Sequence, residues 1–137
     1  MRIERVFTVD GQSPYNDVEF RKTKSEIRHP DGSVVFAQND IEVPSDWSQV
    51  ACDVLAQKYF RKAGVPRRLR TVEEESVPRW LWRCEADDGA LASLHPDERE
   101  IGESSAKQVF DRLAGTWAYW GWKAGYFDAD SDARAFY

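Results

Sequence analysis

Ser104-Ser105-Ala106-Lys107-Gln108-Val109-Phe110-Asp111-Arg112-Leu113-Ala114-Gly115-Thr116-Trp117-Ala118-Tyr119-Trp120-Gly121-Trp122-Lys123-Ala124-Gly125-Tyr126-Phe127 is the stretch whose periodicity decides how this chain folds. On a helical period of about 3.6 residues, Val109, Phe110, Leu113, Ala114, Trp117, Trp120 and Gly121 fall on one apolar stripe. Tyr119 and Trp122 fall on the opposite side. A surface helix of a small domain needs one apolar face, so aromatic side chains on two sides imply burial on two sides. The spacing predicts a helix over 105–123 that belongs to something larger than the chain in hand. Tyr119 and Trp122 are then expected either to carry self-association or to lie where order is lost after Lys123.

Upstream, Pro44-Ser45-Asp46 reads as a helix start, with Ser45 as N-cap and Asp46 at the positive end of the helix dipole. Trp47, Val50, Ala51, Val54 and Leu55 make its stripe, with Cys52 at the edge beside Tyr59. Arg61 and Lys62 suit the last turn, Gly64 the position beyond it, and Pro66 forbids continuation, which predicts a helix over 46–62. A short helix near 78–85 is expected after Ser76-Val77-Pro78, stopping at Asp87-Asp88-Gly89. Asp128 to Asp132 resembles the acidic start of a further helix, and Ala133 to Tyr137 its first turns, which implies continuation past Tyr137. The expected core is Trp47, Val50, Val54, Leu55, Phe110, Leu113 and Trp117.

The first 43 residues read as extended segments. Ile27 to His29 and Val34-Val35-Phe36 flank Pro30-Asp31-Gly32, where proline presets φ and glycine accepts the left-handed conformation after a type I turn. This predicts a hairpin over 25–38, and a meander is expected to add residues 2–9 and 18–23. The fold class is α+β: an antiparallel β-hairpin or meander over 1–43 followed by packed helices over 44–137, all within one segment, 1–137.

Composition excludes more than it assigns. A net charge of −5 makes the chain a poor general nucleic-acid binder. No apolar run approaches the roughly 20 residues of a membrane span. Met1-Arg2-Ile3-Glu4-Arg5 has no signal-peptide core behind it, so the cytoplasm is the expected compartment. Cys52 and Cys84 lie outside any Cys-x-x-Cys pattern and read as reduced thiols. His29 and His95 each precede a proline, and no zinc spacing links them, so no metal site is expected.

Arg61, Lys62, Arg67, Arg68 and Arg70 form a basic run. It suits either a phosphate contact or a helix end running into a solvated loop, with Glu73-Glu74-Glu75 as local counter-charge. The second reading is favoured. Lys58, on its helix stripe, reads as a snorkelling side chain rather than a catalytic one. Asp128, Asp130 and Asp132 resemble half a calcium loop but lack its glycine and distal glutamate, so helix capping is favoured. No phosphate-binding glycine loop, nucleophile elbow or metalloprotease motif is present, and no catalytic residue is assigned. The aromatic residues at 117–127 read as packing in preference to a ligand platform.

Several segments in order resemble the N-terminal region of adenosylcobalamin-dependent (class II) ribonucleotide reductases. They are Phe7-Thr8-Val9-Asp10-Gly11-Gln12-Ser13-Pro14-Tyr15, Ile41-Glu42-Val43-Pro44, Trp47 through Pro66, Val77-Pro78 with Leu81-Trp82-Arg83, and Ser105 through Phe127. The resemblance covers essentially the whole chain. It implies part of a radical oxidoreductase that converts ribonucleotides to deoxyribonucleotides for DNA synthesis, using adenosylcobalamin and a thiyl radical carried on an α/β barrel. The family's catalytic residues lie beyond the matched region, so none transfers to this chain, and the barrel is absent from it. The segment alone is expected to be inactive and to bind no cofactor, with the rest of the reductase chain as its partner. Two alternatives stay open: a free-standing regulatory or interaction module, and a small nucleotide- or ligand-binding domain using the Arg61–Arg70 loop. Barrel motifs in the reading frame past Tyr137 would distinguish the first reading from both.

Overall fold

The computed structural model describes all 137 residues. Two long strands, β1 (Phe20–Arg28) and β2 (Val34–Pro44), pair antiparallel with Phe20 opposite Pro44. The connecting turn is the one the sequence predicts. The Gly32 N–H donates to the His29 carbonyl at 2.8 Å, Gly32 has φ +88°, and the Asp31 carboxylate accepts the Ser33 N–H at 2.9 Å. The hairpin is longer than 25–38, because Val18 to Thr23 feeds straight into β1 rather than forming a separate strand. The meander does not form. Residues 2–9 stay outside any sheet because the N-terminal segment ties to helices instead. The Ile3 N–H donates to Asp132 at 2.8 Å, and the Tyr15 hydroxyl donates to Asp111 at 2.6 Å.

Helix α1 (Gln49–Val54) starts three residues later than the sequence suggests, capped by Ser48, whose hydroxyl accepts the Ala51 N–H. The cause is Arg21 on β1. Its guanidinium donates to the Ser45 carbonyl at 3.2 Å and the Trp47 carbonyl at 2.8 Å, consuming two acceptors that an earlier helix start would use. Trp47 therefore sits before the helix and says nothing about its face. The buried residues are Cys52, Leu55, Ala56 and Phe60, while Val50 and Val54 point to solvent, against expectation. Leu55–Tyr59 continues as a π-helical turn in which the Phe60 N–H reaches back to the Leu55 carbonyl at 3.1 Å, so the helix ends before Arg61 and Lys62.

The region between residues 60 and 105 carries more strand than a helical reading of 44–137 allows. Strand β3 (Val65–Pro66) pairs with β6 (Glu100–Ile101), and β4 (Leu69–Thr71) pairs with β5 (Cys84–Ala86). The helix expected at 78–85 is a single 3-10 turn, Arg79–Leu81, because the residues after it pair with β4. A short helix, α2 (Asp88–Ala92), starts where the sequence suggests a stop, since the Asp87 carboxylate accepts the Ala90 N–H as an N-cap.

Helix α3 (Ala106–Lys123) matches the predicted span. Ser105 caps it, and the Gln108 side chain reaches back to the Ser105 N–H at 2.9 Å. Gly125, at φ +69°, closes the other end: its N–H bonds the Trp122 carbonyl and the Tyr126 N–H the Gly121 carbonyl. Order continues into α4 (Asp130–Phe136), so α3 is not followed by the loss of order expected after Lys123. The main core joins Ile41, Val43, Cys52, Leu55, Ala56, Phe60, Ala106 and Val109, with Trp47 and Phe110 edge to face at 5.9 Å. Trp117, expected in it, is 53% exposed.

Glu103 pins these parts together. Its carboxylate is 1% exposed and accepts the Arg61 N–H at 2.8 Å, the Arg61 Nε at 3.0 Å and the Arg112 Nε at 2.9 Å. Gly102 beside it must be glycine, since a Cβ would lie 2.7 Å from the Lys62 carbonyl oxygen. Burial pushes the Glu103 carboxyl up, but the Arg61 N–H and the Arg112 and Arg61 side chains outweigh burial and hold it below its ordinary value of 4.5. The ionised form therefore stabilises the fold; that contribution is complete above pH 4.5 and is lost as pH falls through the lower folded value. Glu103→Gln should cost about 2 kcal/mol at pH 7 and less at pH 3, measured by urea unfolding. A gap between wild type and variant that stays constant across that range would contradict this account.

Candidate functional site

The six tryptophans divide into two sets. Trp47, Trp80, Trp82 and Trp122 are half-buried. The Trp80 indole N–H donates to Asp130 at 2.7 Å, that of Trp82 to the Val77 carbonyl at 2.8 Å and that of Trp122 to the Ser76 carbonyl at 2.7 Å. Tyr119 and Trp122 pack with Trp80 and Trp82 on a second small core of Val77, Leu81 and Ala118. Thus the second aromatic face of α3 exists as the sequence predicts, but residues 74–82 cover it within the chain. The exposed rings lie on the other side: Trp117 at 53% and Trp120 at 63%. They prolong the stripe of Ala106, Val109, Phe110 and Leu113 that packs on the main core, and so form an uncovered apolar ridge.

Glu74 locks the covered face. It accepts the Tyr119 hydroxyl at 2.8 Å and the Lys123 ammonium at 2.5 Å, and Arg83 approaches to 3.9 Å. Glu74 therefore does not balance the basic run, as the sequence suggests; it is turned toward α3. The basic run finds other partners. Arg61 pairs with Glu103 and Arg70 with Glu85. The Lys62 ammonium lies over the Phe36 ring at 4.3 Å and donates to the Ala56 carbonyl. Burial lowers the pKa of Lys62. Lys58 is exposed, which fits a snorkelling side chain. Arg61, Lys62 and Arg70 thus take structural partners, but not the helix end and the Glu73–Glu75 counter-charge that the sequence suggests.

Cys52 is buried, 3.7 Å from the Arg21 guanidinium, and Cys84 is exposed on β5; both are free thiols and no base is placed to activate either. No group of three or more His, Cys, Asp or Glu is arranged to hold a metal ion. The three aspartates near the C-terminal end act on helices and termini. Asp128 receives the Met1 ammonium, Asp130 receives Trp80 and Arg134, and Asp132 caps the Ala129 N–H at 2.9 Å. An open groove of about 830 Å3 runs between residues 75–80 and α4. Within it Arg134 is stacked over Trp80 at 4.7 Å and paired to Asp130 at 2.6 Å. These groups have the chemistry of a packed joint between segments. Of this exposed ridge, Trp117 is the residue that the sequence places in the core; its neighbour Trp120 lies on the same stripe.

A family model described as class II vitamin B12-dependent ribonucleotide reductase matches residues 21–137. The chain is 66% identical over its full length to the vitamin B12-dependent ribonucleotide reductase of Bradyrhizobium diazoefficiens. It is 64% identical over 136 residues to that of Agrobacterium fabrum and 30% identical over 128 residues to that of Rhodopirellula baltica. These alignments cover 100%, 99% and 93% of this chain but 11%, 11% and 9% of the respective relatives. The chain thus spans about a tenth of the length of the curated relatives it matches.

The two aromatic faces should differ in what they do for stability. Trp122→Ala, which empties the covered face, should cost about 3 kcal/mol in denaturant unfolding. Trp120→Ala should stay within about 0.5 kcal/mol of wild type. Equal costs would show that the two faces are not distinct.

Proposed function

The chain belongs to the class II vitamin B12-dependent ribonucleotide reductase family, and we propose that it is an accessory, non-catalytic N-terminal region of such a reductase. The whole protein would reduce ribonucleotides to deoxyribonucleotides for DNA synthesis. The observation that carries this reading is the end-to-end match at 66% identity to one tenth of a reductase. Within that tenth, four carboxylates join segments of the chain. Glu103, Glu74, Asp130 and Asp132 each bond two or more partners drawn from different parts of the chain. Nucleophile, base and orienter need to be assembled around a shared reacting position, and these groups are not.

The family uses cobalamin, and the residues here do not fit that group. The groove beside Trp80 is open, its two indole N–H groups and the Arg134 guanidinium are bonded within the chain, and neither histidine is among its lining residues. The one buried side-chain polar atom without a partner, Ser25 Oγ, lies in the β1–β2 hairpin. We assign adenosylcobalamin to the rest of the enzyme and derive no step through it here. Residues 1–137 read as one unit, because α3 contributes to both cores.

The partner is the remainder of the reductase chain. Self-association through Tyr119 and Trp122 is the weaker reading, since that contact would first have to strip both rings from Val77 and Leu81. A nucleotide site on the basic run is also weaker, because Arg61 and Arg70 are committed to Glu103 and Glu85. The two free thiols suit a reducing compartment, which supports the cytoplasm, and no helix is long and apolar enough to cross a membrane.

Purified residues 1–137 should form no deoxyribonucleotide when supplied with ribonucleotide, adenosylcobalamin, a dithiol and an effector nucleotide. The full-length polypeptide should do so only with the cobalamin present. Product from the isolated region, or a full-length protein indifferent to cobalamin, would overturn the proposal.

A further inference from the structure

We infer that Trp117 and Trp120 form a docking ridge for another part of the same reductase polypeptide, an inference that rests on the reductase reading above. Helix α3 carries one apolar stripe from Ala106 to Trp120. Its first half is roofed by β2, α1 and the π-helical turn through Ala106, Val109, Phe110 and Leu113. Its second half overhangs that roof, leaving Trp117 53% and Trp120 63% exposed. The opposite side of the same helical turns is covered by Val77, Leu81, Trp82 and the Glu74 cluster. The ridge is thus the open remainder of a helix otherwise packed on two sides.

Its composition is that of an interface anchor. Tryptophan is enriched among residues that dominate binding, and a ridge continuous with a rigid core loses little freedom on docking. The helix end that carries it is fixed by the Gly125 cap and by the Phe127 ring, which lies 2.8 Å from where a Cβ on Gly121 would sit. The exposed pair Val50 and Val54 presents two small side chains, whereas two half-bare indoles extending a core present a large apolar area.

The occupant follows from length. The reductases that this chain matches at 66% and 64% identity devote only 11% of their length to it. A covalently joined segment acts at an effective concentration in the millimolar range, above that of a second copy in solution. The ridge is therefore covered from within one polypeptide.

The test uses the full-length reductase. Hydroxyl-radical footprinting with mass spectrometry reads the oxidation of Trp117 and Trp120, each normalised to the unfolded chain. Both should be protected as strongly as half-buried Trp122, at least fivefold beyond their exposure in this region alone, and the protection should be unchanged over a hundredfold dilution. Trp117→Glu with Trp120→Glu should leave amide-exchange protection of α3 intact and raise exchange at least tenfold in one segment outside residues 1–137. Oxidation at the level their exposure implies, protection lost on dilution, or no outside segment responding would each overturn the ridge proposal. Ribonucleotide reduction by the same preparation is scored separately. An active enzyme with a bare ridge sinks the docking alone, and a protected ridge in a protein without reductase activity sinks the functional reading alone.

Discussion

A single carboxylate, that of Glu103, determines how the parts of this chain meet. It is buried, so its charge is tolerable only with close donors. Those donors come from two places: the backbone and side chain of Arg61, just past the π-helical turn, and the side chain of Arg112 on α3. The Glu103 carbonyl in turn accepts the Gln38 side-chain amide from β2 at 2.8 Å. Hairpin, first helix and long helix are thereby indexed to one residue, and Gly102 lets the strap carrying it pass against the Lys62 carbonyl. Apolar burial supplies the larger driving force, but it is non-directional. The Glu103 cluster adds the register.

The long helix then serves two cores at once. Its first half closes the hairpin core, and the other side of its second half closes the small core of Val77, Leu81 and Ala118. Large aromatics suit that second contact because residues 74–82 have little regular structure of their own. Indoles bring area, and their N–H groups tie down the carbonyls of Val77 and Ser76 that no helix or strand satisfies. What remains is the Trp117–Trp120 ridge. It lies at the end of the stripe that the hairpin does not reach, on a chain about a tenth of its relatives' length.

Much of this was legible in the residues alone. Pro30-Asp31-Gly32 specified its turn because proline and glycine restrict φ locally. The span of α3 followed from periodicity, and the family from ordered short segments across the chain. These features depend on neighbours in sequence or on residue type, so no tertiary contact could reverse them.

Tertiary structure decided the rest. Helix α1 begins at Gln49 because Arg21, from a strand 24 or more residues earlier, takes the carbonyls of Ser45 and Trp47. Packing against the hairpin buries Cys52 and Ala56 and leaves Val50 and Val54 exposed. Residues 84–86 became strand because β4 lay beside them, and residues 2–9 stayed out of the sheet because the termini of α4 and the side of α3 offered their segment other partners. Period alone showed that α3 has two apolar faces; it could not show which one residues 74–82 would cover. Covering a face requires a second surface, and a second surface is a property of the folded chain.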